Sequence, residues 1–395
     1  MKKKIAIIGS TGSIGKTLFK ILEKNKSKFE ITLLTANKNY KTLLQQAKKY
    51  KVSNLIITNE KSFKILKNKT KDSNLNIFND FKNLDKIFTK KIDYVMSSII
   101  GIDGLEPTFN IIKFTKNIAI ANKESIICGW NLIKKELEIN NTKFIPVDSE
   151  HFSLWYGLKN QESKNIEKII LTASGGPFSA IPLNKFEKIK ITDALKHPNW
   201  KMGKKISIDS ATMINKLYEV IEAKNIFNIP YKKIKILIHP KSYVHALLKF
   251  SNGMIQIIAH DTTMKIPIFN TLYFNFDQKL KTKNIDINNL NNLNFQKVNL
   301  KRYPVIKLLN FLPNKPSLFE TVIVSANDTL VNLFLKKEIK FTEIHKKLFD
   351  IIKMKEFLKF KKIRPNKVND ILDLNHYVRL KTLKKVYKNQ QCLEL

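Results

Sequence analysis

The first forty residues carry the pattern of a buried strand, a glycine-rich turn, an amphipathic helix and a second strand. An apolar run at residues 5–8 leads into Gly9, Gly12 and Gly15, a helix is predicted to begin near Ser13, and FEITLLTANKN supplies the next strand. Glycines at such a junction let backbone N–H groups and a helix N-terminus hold a pyrophosphate. The pattern predicts a dinucleotide-binding βαβ unit, although its G-x-x-G-x-x-G spacing differs from the commoner G-x-G-x-x-G.

The end of the second strand indicates which dinucleotide is preferred. An NAD site usually places Asp or Glu there to hold the ribose 2′-hydroxyl, whereas a 2′-phosphate needs a cation and no acid. Residues 35–39 read TANKN and contain no carboxylate, and Lys38 is placed to meet a phosphate. This favours NADP, the alternative being that Lys38 is one more surface lysine.

Length and composition predict two or three globular domains rather than one. The chain has 395 residues, of which 43% are hydrophobic, enough to bury a sizeable core. No apolar run approaches bilayer length, and the run at residues 5–8 is too short for the core of a signal peptide. Two cysteines, Cys128 and Cys392, form no disulfide framework and are compatible with a reducing compartment. From the short apolar runs and the cysteines together, we expect a cytoplasmic protein without a membrane partner.

The formal charge of +38 raises the possibility of a nucleic-acid partner. Among the basic residues, however, only Arg302, Arg364 and Arg379 are arginines, and the lysines are spread along the whole chain. Specific recognition of bases and nucleic-acid phosphates relies on the planar arginine fork. We therefore expect no nucleic-acid binding, while small phosphorylated ligands remain compatible with the charge.

Polar residues follow two later strands of the predicted sheet. Asn122, Lys123 and Glu124 come directly after the run KNIAIA, and Asp148 and Glu150 follow the apolar residues 144–147. The carboxyl ends of strands are where ligands lie in open α/β sheets. If the backbone stays extended, Asp148 and Glu150 point to the same side and repel unless a cation lies between them. The alternative is a solvated junction between a strand and a loop.

Three further stretches are candidates for a ligand site. Residues 174–177 (SGGP) form a small-residue loop able to approach an oxyanion, or simply a tight turn. A helix entered around Ser210 would place Asn215, Lys216 and Glu219 on one face, unless Lys216 and Glu219 form only a surface ion pair. The turn-rich residues 197–205 (HPNWKMGKK) carry Trp200, which suggests either an anchored loop or a lid.

These motifs together resemble one family across essentially the whole chain. GSTGSIG (9–15), ANKES (121–125), PVDSEH (146–151), SGGPF (174–178), HPNWKMGKK (197–205), DSATMINK (209–216) with Glu219, and IHPKSYVH (238–245) follow the order and approximate spacing of the 1-deoxy-D-xylulose 5-phosphate reductoisomerase family. The resemblance implies NADPH-dependent conversion of that substrate to 2-C-methyl-D-erythritol 4-phosphate, in the non-mevalonate route to isoprenoids. It implies a metal-assisted retro-aldol/aldol rearrangement to an aldehyde, followed by hydride transfer.

The same resemblance implies an α/β fold and a homodimer. The expected parts are an N-terminal Rossmann-like parallel sheet for NADPH (1–149), a central α+β catalytic domain (150–274) with a flexible lid (197–205), an Asn- and Lys-rich linker (275–300) and a C-terminal helical domain (301–395).

Site residues carried over by matching position fall into four groups. A divalent Mg²⁺ or Mn²⁺ would be held by Asp148, Glu150 and Glu219, an oxygen-only set that suits hard cations. The implied catalytic residues are Lys123, Glu150, His197 and His239. The implied cofactor contacts are Thr11, Gly12, Ser13, Ile14, Asn37, Lys38, Asn39, Asn122, Glu124 and Gly203. The implied substrate contacts are Lys123, Ser149, Glu150, Ser174, His197, Trp200, Ser210, Asn215, Lys216 and Glu219, with Met202 in the lid.

Departures from the family pattern occur at Asn37, at residues 259–267, where Lys265 replaces an arginine, and at Asp328, where the family has glutamate. Two other classes of function stay open from the residues alone. One is a nucleotide-binding scaffold without catalysis, and the other is an ordinary NADP dehydrogenase acting on a different phosphorylated sugar.

Overall fold

The computed structural model describes residues 2–159, 161, 163–200, 202–274 and 278–391. The chain forms two compact units. The first unit comprises Met1–Ser125, Leu132–Phe152 and Thr263–Lys281, and the second comprises Ile126–Asn131, Ser153–Thr262 and Thr282–Leu395. Within the described ranges, no helix combines the length and the apolar character needed to cross a membrane.

The strands are β1 (Lys3–Ile8), β2 (Phe29–Ala36), β3 (Asn54–Ile57), β4 (Asn76–Phe78), β5 (Tyr94–Ser97), β6 (Asn117–Ile120), β7 (Lys143–Pro146), β8 (Ile166–Ala173), β9 (Ile234–Ile238), β10 (Val244–Phe250), β11 (Ile255–Ala259) and β12 (Gln296–Lys297).

The α-helices are α1 (Ser13–Leu22), α2 (Tyr40–Tyr50), α3 (Glu60–Lys69), α4 (Leu84–Ile87), α5 (Leu105–Ile111), α6 (Lys123–Ile139), α7 (Ser149–Gly157), α8 (Ile191–Ala194), α9 (Lys204–Ala211), α10 (Ile214–Phe227), α11 (Lys265–Leu272), α12 (Ile287–Asn291), α13 (Phe319–Leu335), α14 (Phe341–Ile352), α15 (Lys355–Leu358) and α16 (Val368–Gln391).

The first unit is built on a seven-stranded sheet in the order β4-β3-β2-β1-β5-β6-β7, with every neighbouring pair parallel. The middle of its central strands is apolar, as at Leu33 and Leu34 of β2 and Val95 and Met96 of β5, because crossover helices cover both faces of a parallel sheet. Residues 5–8 of β1 are completely buried. The strand order reverses between β1 and β5, so the loops after these strands face the crevice where a dinucleotide lies in such sheets. The predicted βαβ unit, with its helix starting at Ser13, is confirmed.

The second unit contains a five-stranded sheet in the order β11-β10-β8-β9-β12. Strands β8 and β9 are parallel, and the other pairs are antiparallel. Helix α10 packs on β8 and β9 through a core that includes Val220, Ala223, Ile169 and Leu171. The residues that follow the parallel strands, Ser174 after β8 and His239 after β9, therefore leave the sheet at the same edge.

The C-terminal region is helical, as predicted. Helix α13 is buried along most of its length and packs against α14 and α16. The fold class, a parallel α/β sheet followed by an α+β part and C-terminal helices, is confirmed. The segment proposed as a linker, of which residues 275–277 lie outside the described residues, was expected to have little regular structure and instead contains α12 and β12. Asp286 caps α12, and β12 pairs with β9. The domain boundaries remain a prediction.

Candidate active site

The glycine turn in the first unit is shaped for an anion at the start of α1. Gly9 has φ +85° and donates its N–H to Thr35 Oγ1 at 2.8 Å. A Cβ at Gly15 would lie 2.5 Å from the Ser10 carbonyl oxygen, so only glycine fits there. Gly12 precedes α1 without a side-chain cap. The first N–H groups of the helix, including those of the predicted residues Ser13 and Ile14, therefore suit a phosphate.

At the end of β2, the polar residues have distinct roles. The Asn39 side chain caps α2 by accepting the Thr42 N–H at 3.1 Å, and Asn37 Nδ2 donates to Thr58 Oγ1 at 2.8 Å. Lys38 is exposed beside them. Asn37, which departs from the family pattern, thus fixes the loop, and the exposed ammonium group of Lys38 is a positive charge at this strand end.

Asn122 organises the loop after β5 in the first unit. Its side-chain oxygen accepts the Ser125 N–H at 2.6 Å and caps α6, while its Nδ2 donates to the carbonyls of Ile99 and Gly101. Gly101 has φ +82°. The carboxamide is therefore committed to the backbone, and Asn122 would act on a cofactor through the shape of residues 99–101. Glu124 is buried in the first turn of α6.

Asp148 lies at the start of α7, and its backbone is therefore not the extended strand that the sequence predicts. Strand β7 ends at Pro146 and α7 begins at Ser149, so Asp148 and Glu150 are not alternate residues of one strand. Asp148 Oδ1 instead accepts the Glu150 N–H at 3.2 Å, which is how Asp caps a helix. Ser149 Oγ donates to the Glu150 carboxylate. The turn still keeps both carboxylates at the carboxyl end of β7.

Asp148 is also the centre of a small charged cluster in the first unit. Lys123 Nζ lies 3.1 Å from Asp148 Oδ2, and His151 Nδ1 lies 3.1 Å from Asp148 Oδ1. His151 is completely buried and Lys123 is nearly so. The predicted residues Lys123, Asp148, Ser149 and Glu150 are therefore neighbours, and the solvated-junction alternative is wrong for Asp148.

In the second unit, α10 places three predicted residues together. Asn215 Nδ2 donates to one Glu219 oxygen, and Lys216 Nζ pairs with the other. Lys216 is 4% exposed and Glu219 is 1% exposed, which excludes the surface ion pair. The helix does not begin around Ser210 as expected. Met213 has φ +69° and separates α9, which carries Ser210, from α10.

The Ser174 loop adjoins Ser210. Gly175 has φ +84° and Gly176 has φ +66°, and a Cβ at Gly176 would lie 3.0 Å from the Ser210 carbonyl oxygen. Ser174 Oγ accepts the Gly176 N–H at 3.0 Å and lies 3.1 Å from His197 Nε2. The loop therefore brings the Ser174 hydroxyl and the Ser210 segment close together, as an oxyanion site requires.

The tautomer of His197 follows from its partners. Its Nδ1 accepts the N–H groups of Asn199 at 3.1 Å and Trp200 at 3.0 Å, so the ring proton lies on Nε2 and is donated to Ser174 Oγ. Burial lowers the pKa of His197 to about 4, which keeps the ring neutral near pH 7. With its oxygen accepting two hydrogen bonds, Ser174 has its own O–H left to donate.

The first half of the expected lid is anchored. Asn199 Nδ2 donates to the Pro240 carbonyl at 2.6 Å and to Ser242 Oγ at 3.0 Å. Trp200 is half-buried, with its ring edge-on to His245 at 6.1 Å, and is therefore better packed than expected for an open lid. Lys201 lies outside the described residues, and α9 starts directly after Gly203. A lid would therefore have its anchored end at residues 197–200.

His239 is completely buried at the end of β9. Its Nδ1 lies 3.0 Å from the Asn294 carbonyl, its ring packs 5.0 Å from that of Phe295, and its Nε2 has no hydrogen-bond partner among the described residues. Burial is the main cause that lowers the pKa of His239. The neutral ring thus donates from Nδ1 and leaves Nε2 as an acceptor. Residues 294–295 come from the presumed linker, which was not predicted to support the site.

Sequence reasoning missed residues 302–303, which hold the Ser174 loop. Tyr303 Oη donates to the Gly175 carbonyl at 2.6 Å, and Arg302 Nη1 donates to the carbonyls of Phe178 and Ile181, both at 2.6 Å. The available signal was that Arg302 is one of only three arginines in a lysine-rich chain.

Family models match most of the chain. The model described as "1-deoxy-D-xylulose 5-phosphate reductoisomerase" matches residues 5–129, its "C-terminal domain" matches residues 144–227, and "DXP reductoisomerase C-terminal domain" matches residues 261–381. The chain belongs to the 1-deoxy-D-xylulose 5-phosphate reductoisomerase family. The predicted family is thereby confirmed.

Relatives of this reductoisomerase family match the chain from end to end. The protein of that name from Pelagibacter ubique is 59% identical over 96% of this chain and 98% of its own length, and the one from Wolbachia pipientis wMel is 38% identical over 96% of both. A solved reductoisomerase with NADPH, fosmidomycin and magnesium has a TM-score of 0.91 at 28% identity, covering 98% of this chain and 99% of that one. The Zymomonas mobilis enzyme with NADPH has a TM-score of 0.86, with the same identity and coverage.

Proposed function

We propose that this chain is an NADPH-dependent reductoisomerase that converts 1-deoxy-D-xylulose 5-phosphate to 2-C-methyl-D-erythritol 4-phosphate and requires a divalent cation. The observation that carries the proposal is the family match, at 59% identity over 96% of the chain, with every implied metal-ligand position still a carboxylate. The product is a precursor in isoprenoid synthesis.

The first unit binds NADPH in this proposal. The N–H groups at the start of α1 hold the pyrophosphate, Lys38 meets the 2′-phosphate, and Asn122 shapes the loop at residues 99–101. Thr11, Gly12 and Glu124 complete the proposed contacts of this unit, and Gly203 of the second unit is proposed as a further contact on the family resemblance. Bound NADPH supplies the hydride.

The metal ligands are proposed to be Asp148, Glu150 and Glu219, with Mg²⁺ or Mn²⁺ as the ion. The donor set fits, because it offers carboxylate oxygens without sulfur, and hard cations prefer oxygen. Lys123 and Lys216 lie beside Asp148 and Glu219 and offset the negative charge of the ligands. When bound, such an ion polarises the substrate's oxygen atoms as a Lewis acid.

The second unit is proposed to hold the phosphate end of the substrate. Ser174 can donate its O–H because its oxygen already accepts from Gly176 and His197, and Lys216 supplies the positive charge. Ser210 and Asn215 add short polar groups, while Lys123 and Ser149 are proposed to contact the sugar backbone. His239 offers Nε2 as an acceptor. Neutral His197 orients Ser174 and, with Trp200 and Met202, excludes water from the site.

The direct test follows NADPH oxidation at 340 nm with deoxyxylulose phosphate as substrate. Turnover is expected with Mg²⁺ or Mn²⁺ and is expected to stop with excess EDTA, while NADPH binding, read by its fluorescence, persists. A chain that binds NADPH but never turns over with added metal would instead be a non-catalytic binder. Turnover with another sugar phosphate, but not with this one, would favour the ordinary dehydrogenase.

Replacing Lys38 by glutamate is expected to lower the ratio of kcat/KM for NADPH over NADH by about tenfold or more. A carboxylate there repels the 2′-phosphate and can accept a hydrogen bond from the 2′-hydroxyl of NADH. Lys51→Glu, the same charge change at the other end of α2, is the control and should leave the ratio unchanged. Equal kcat/KM for both cofactors in the wild type would contradict the assignment.

A homodimer is proposed through the free edge of β11. Within the described part of the chain, this strand pairs with β10 on one side only; its Ile255 and Ile257 are 58% and 47% exposed, and the preceding Met254 is 65% exposed. An unpaired apolar edge is a liability that pairing with a second copy removes. Ile255→Lys should shift the sedimentation coefficient to that of a monomer, whereas Ile285→Lys, at a 74% exposed isoleucine elsewhere, should not. A monomeric wild type would overturn this proposal.

The domain boundaries at residues 149, 274 and 300 are proposed on the family resemblance, and a cytoplasmic location is proposed because two cysteines are compatible with a reducing compartment.

A further inference from the structure

The Ser174 loop depends on one peptide group whose orientation its own residues do not fix. Gly175 and Gly176 both have positive φ, and neither has a side chain that opposes a flip of the peptide between them. The Gly175 carbonyl and the Gly176 N–H belong to that same trans peptide, so they point in opposite directions. Any group that holds the carbonyl therefore also aims the N–H.

Tyr303 holds this carbonyl. Its Oη donates to the Gly175 oxygen at 2.6 Å, and the residue is only 3% exposed. On the opposite side of the peptide, the Gly176 N–H donates to Ser174 Oγ at 3.0 Å. Since His197 Nε2 supplies the second hydrogen bond to Ser174 Oγ, the two donors leave the Ser174 hydroxyl hydrogen free to point at a ligand.

The neighbouring Arg302 fastens the other end of the same loop. Its Nη1 donates to the carbonyls of Phe178 and Ile181, and its guanidinium lies 5.5 Å from the centre of the Phe186 ring. The N–H groups of Arg302 and Tyr303 are themselves bonded to Asn299, which fixes the start of the following helical turns. Two consecutive residues thus span the loop from Gly175 to Ile181.

We propose that Tyr303 is a positioning residue for the phosphate end of the substrate, which acts by locking the Gly175–Gly176 peptide and thereby orienting the Ser174 hydroxyl. This inference depends on the proposed function at one point, because that function identifies the ligand of Ser174 as the phosphate group. Arg302 supports the same loop from its far end.

The test is a double-mutant cycle on Tyr303→Phe and Ser174→Ala. The affinity for inorganic phosphate is measured by calorimetry, and kcat and KM are measured with deoxyxylulose phosphate. Tyr303→Phe is expected to weaken phosphate binding and raise KM by about three- to tenfold, the range expected for loss of one hydrogen bond, with kcat within about threefold of wild type. In the Ser174→Ala background, Tyr303→Phe should cause no further loss, because its effect passes through Ser174.

The control is Tyr231→Phe, which removes a buried hydroxyl that has no hydrogen-bond partner among the described residues. It should leave phosphate affinity and KM unchanged. Arg302→Lys is the second variant if Tyr303→Phe folds poorly. It should also weaken phosphate binding, and it should cause no further loss of affinity in the Ser174→Ala background.

Three results would overturn the inference: unchanged phosphate affinity in Tyr303→Phe, a loss that adds fully to that of Ser174→Ala, or a wild type that binds no phosphate. The phosphate titration needs no turnover. If the wild type fails to oxidise NADPH with deoxyxylulose phosphate, the proposed function fails while the titration still decides the role of Tyr303.

Discussion

Glu219→Gln is expected to lower kcat with deoxyxylulose phosphate by about a thousandfold or more. The substitution keeps the shape of a side chain that is 1% exposed but removes the charge that would hold the cation. A Lewis acid contributes several kcal/mol of transition-state stabilisation, and each 1.36 kcal/mol corresponds to a factor of ten in rate. The measurement is NADPH oxidation with saturating substrate and Mg²⁺ or Mn²⁺.

Glu320→Gln is the matched control for this loss. Glu320 is a buried glutamate of the same unit, hydrogen-bonded to Ser317, and burial raises its pKa to about 7. Its carboxyl is therefore about half protonated near pH 7, and an amide of the same shape should change the rate little. Full activity in Glu219→Gln, or in wild type with excess EDTA, would remove Glu219 from the metal site.

Stability must be separated from catalysis in this comparison. Glu219 pairs with Lys216, which is 4% exposed, so removing the carboxylate leaves a buried ammonium group with weaker compensation. We expect the melting temperature of Glu219→Gln to fall, and kcat should be measured well below it. NADPH fluorescence reports on the first unit and should be unchanged, which shows that the loss lies in the chemistry.

The parts of the fold that depend on residues close together in the sequence could be predicted from the sequence. One local pattern contains the strand at residues 5–8, the glycine turn and the helix from Ser13. Its hydrophobic periodicity and its turn residues both predict these same elements. The carboxyl ends of parallel strands were correctly predicted to carry Asn122 and Asp148, because that edge is set by topology and not by side-chain detail.

Local sequence patterns could not predict where some helices begin or which residues distant in sequence support the site. The sequence predicts an extended backbone at Asp148, whereas Asp148 caps α7 and the chain turns directly after β7. The break between α9 and α10 falls at Met213, which has φ +69° and is 2% exposed, and no glycine there indicates a break in the sequence. Tyr303 lies 128 positions from Gly175, and no sequence period links residues so far apart.

Trp200→Ala is expected to raise KM for the substrate by about thirtyfold while the melting temperature falls only slightly. The half-buried indole has apolar surface left to bury against a bound substrate. At ~25 cal/mol per Å², burial of about 80 Å² is worth roughly 2 kcal/mol, or a factor of about thirty in affinity. Trp130→Ala, at a half-buried indole on α6, is the control and should leave KM unchanged.

Closure itself can be read from Trp200 fluorescence in a variant with Trp130 and Trp155 replaced by phenylalanine. Titration with deoxyxylulose phosphate and Mg²⁺, without NADPH, is expected to give a saturable change in emission, because the indole loses contact with water as the loop closes. Glu150→Gln should abolish the change if closure requires the metal. A large loss of melting temperature in Trp200→Ala with unchanged KM would instead show that the indole only fixes its loop to the core.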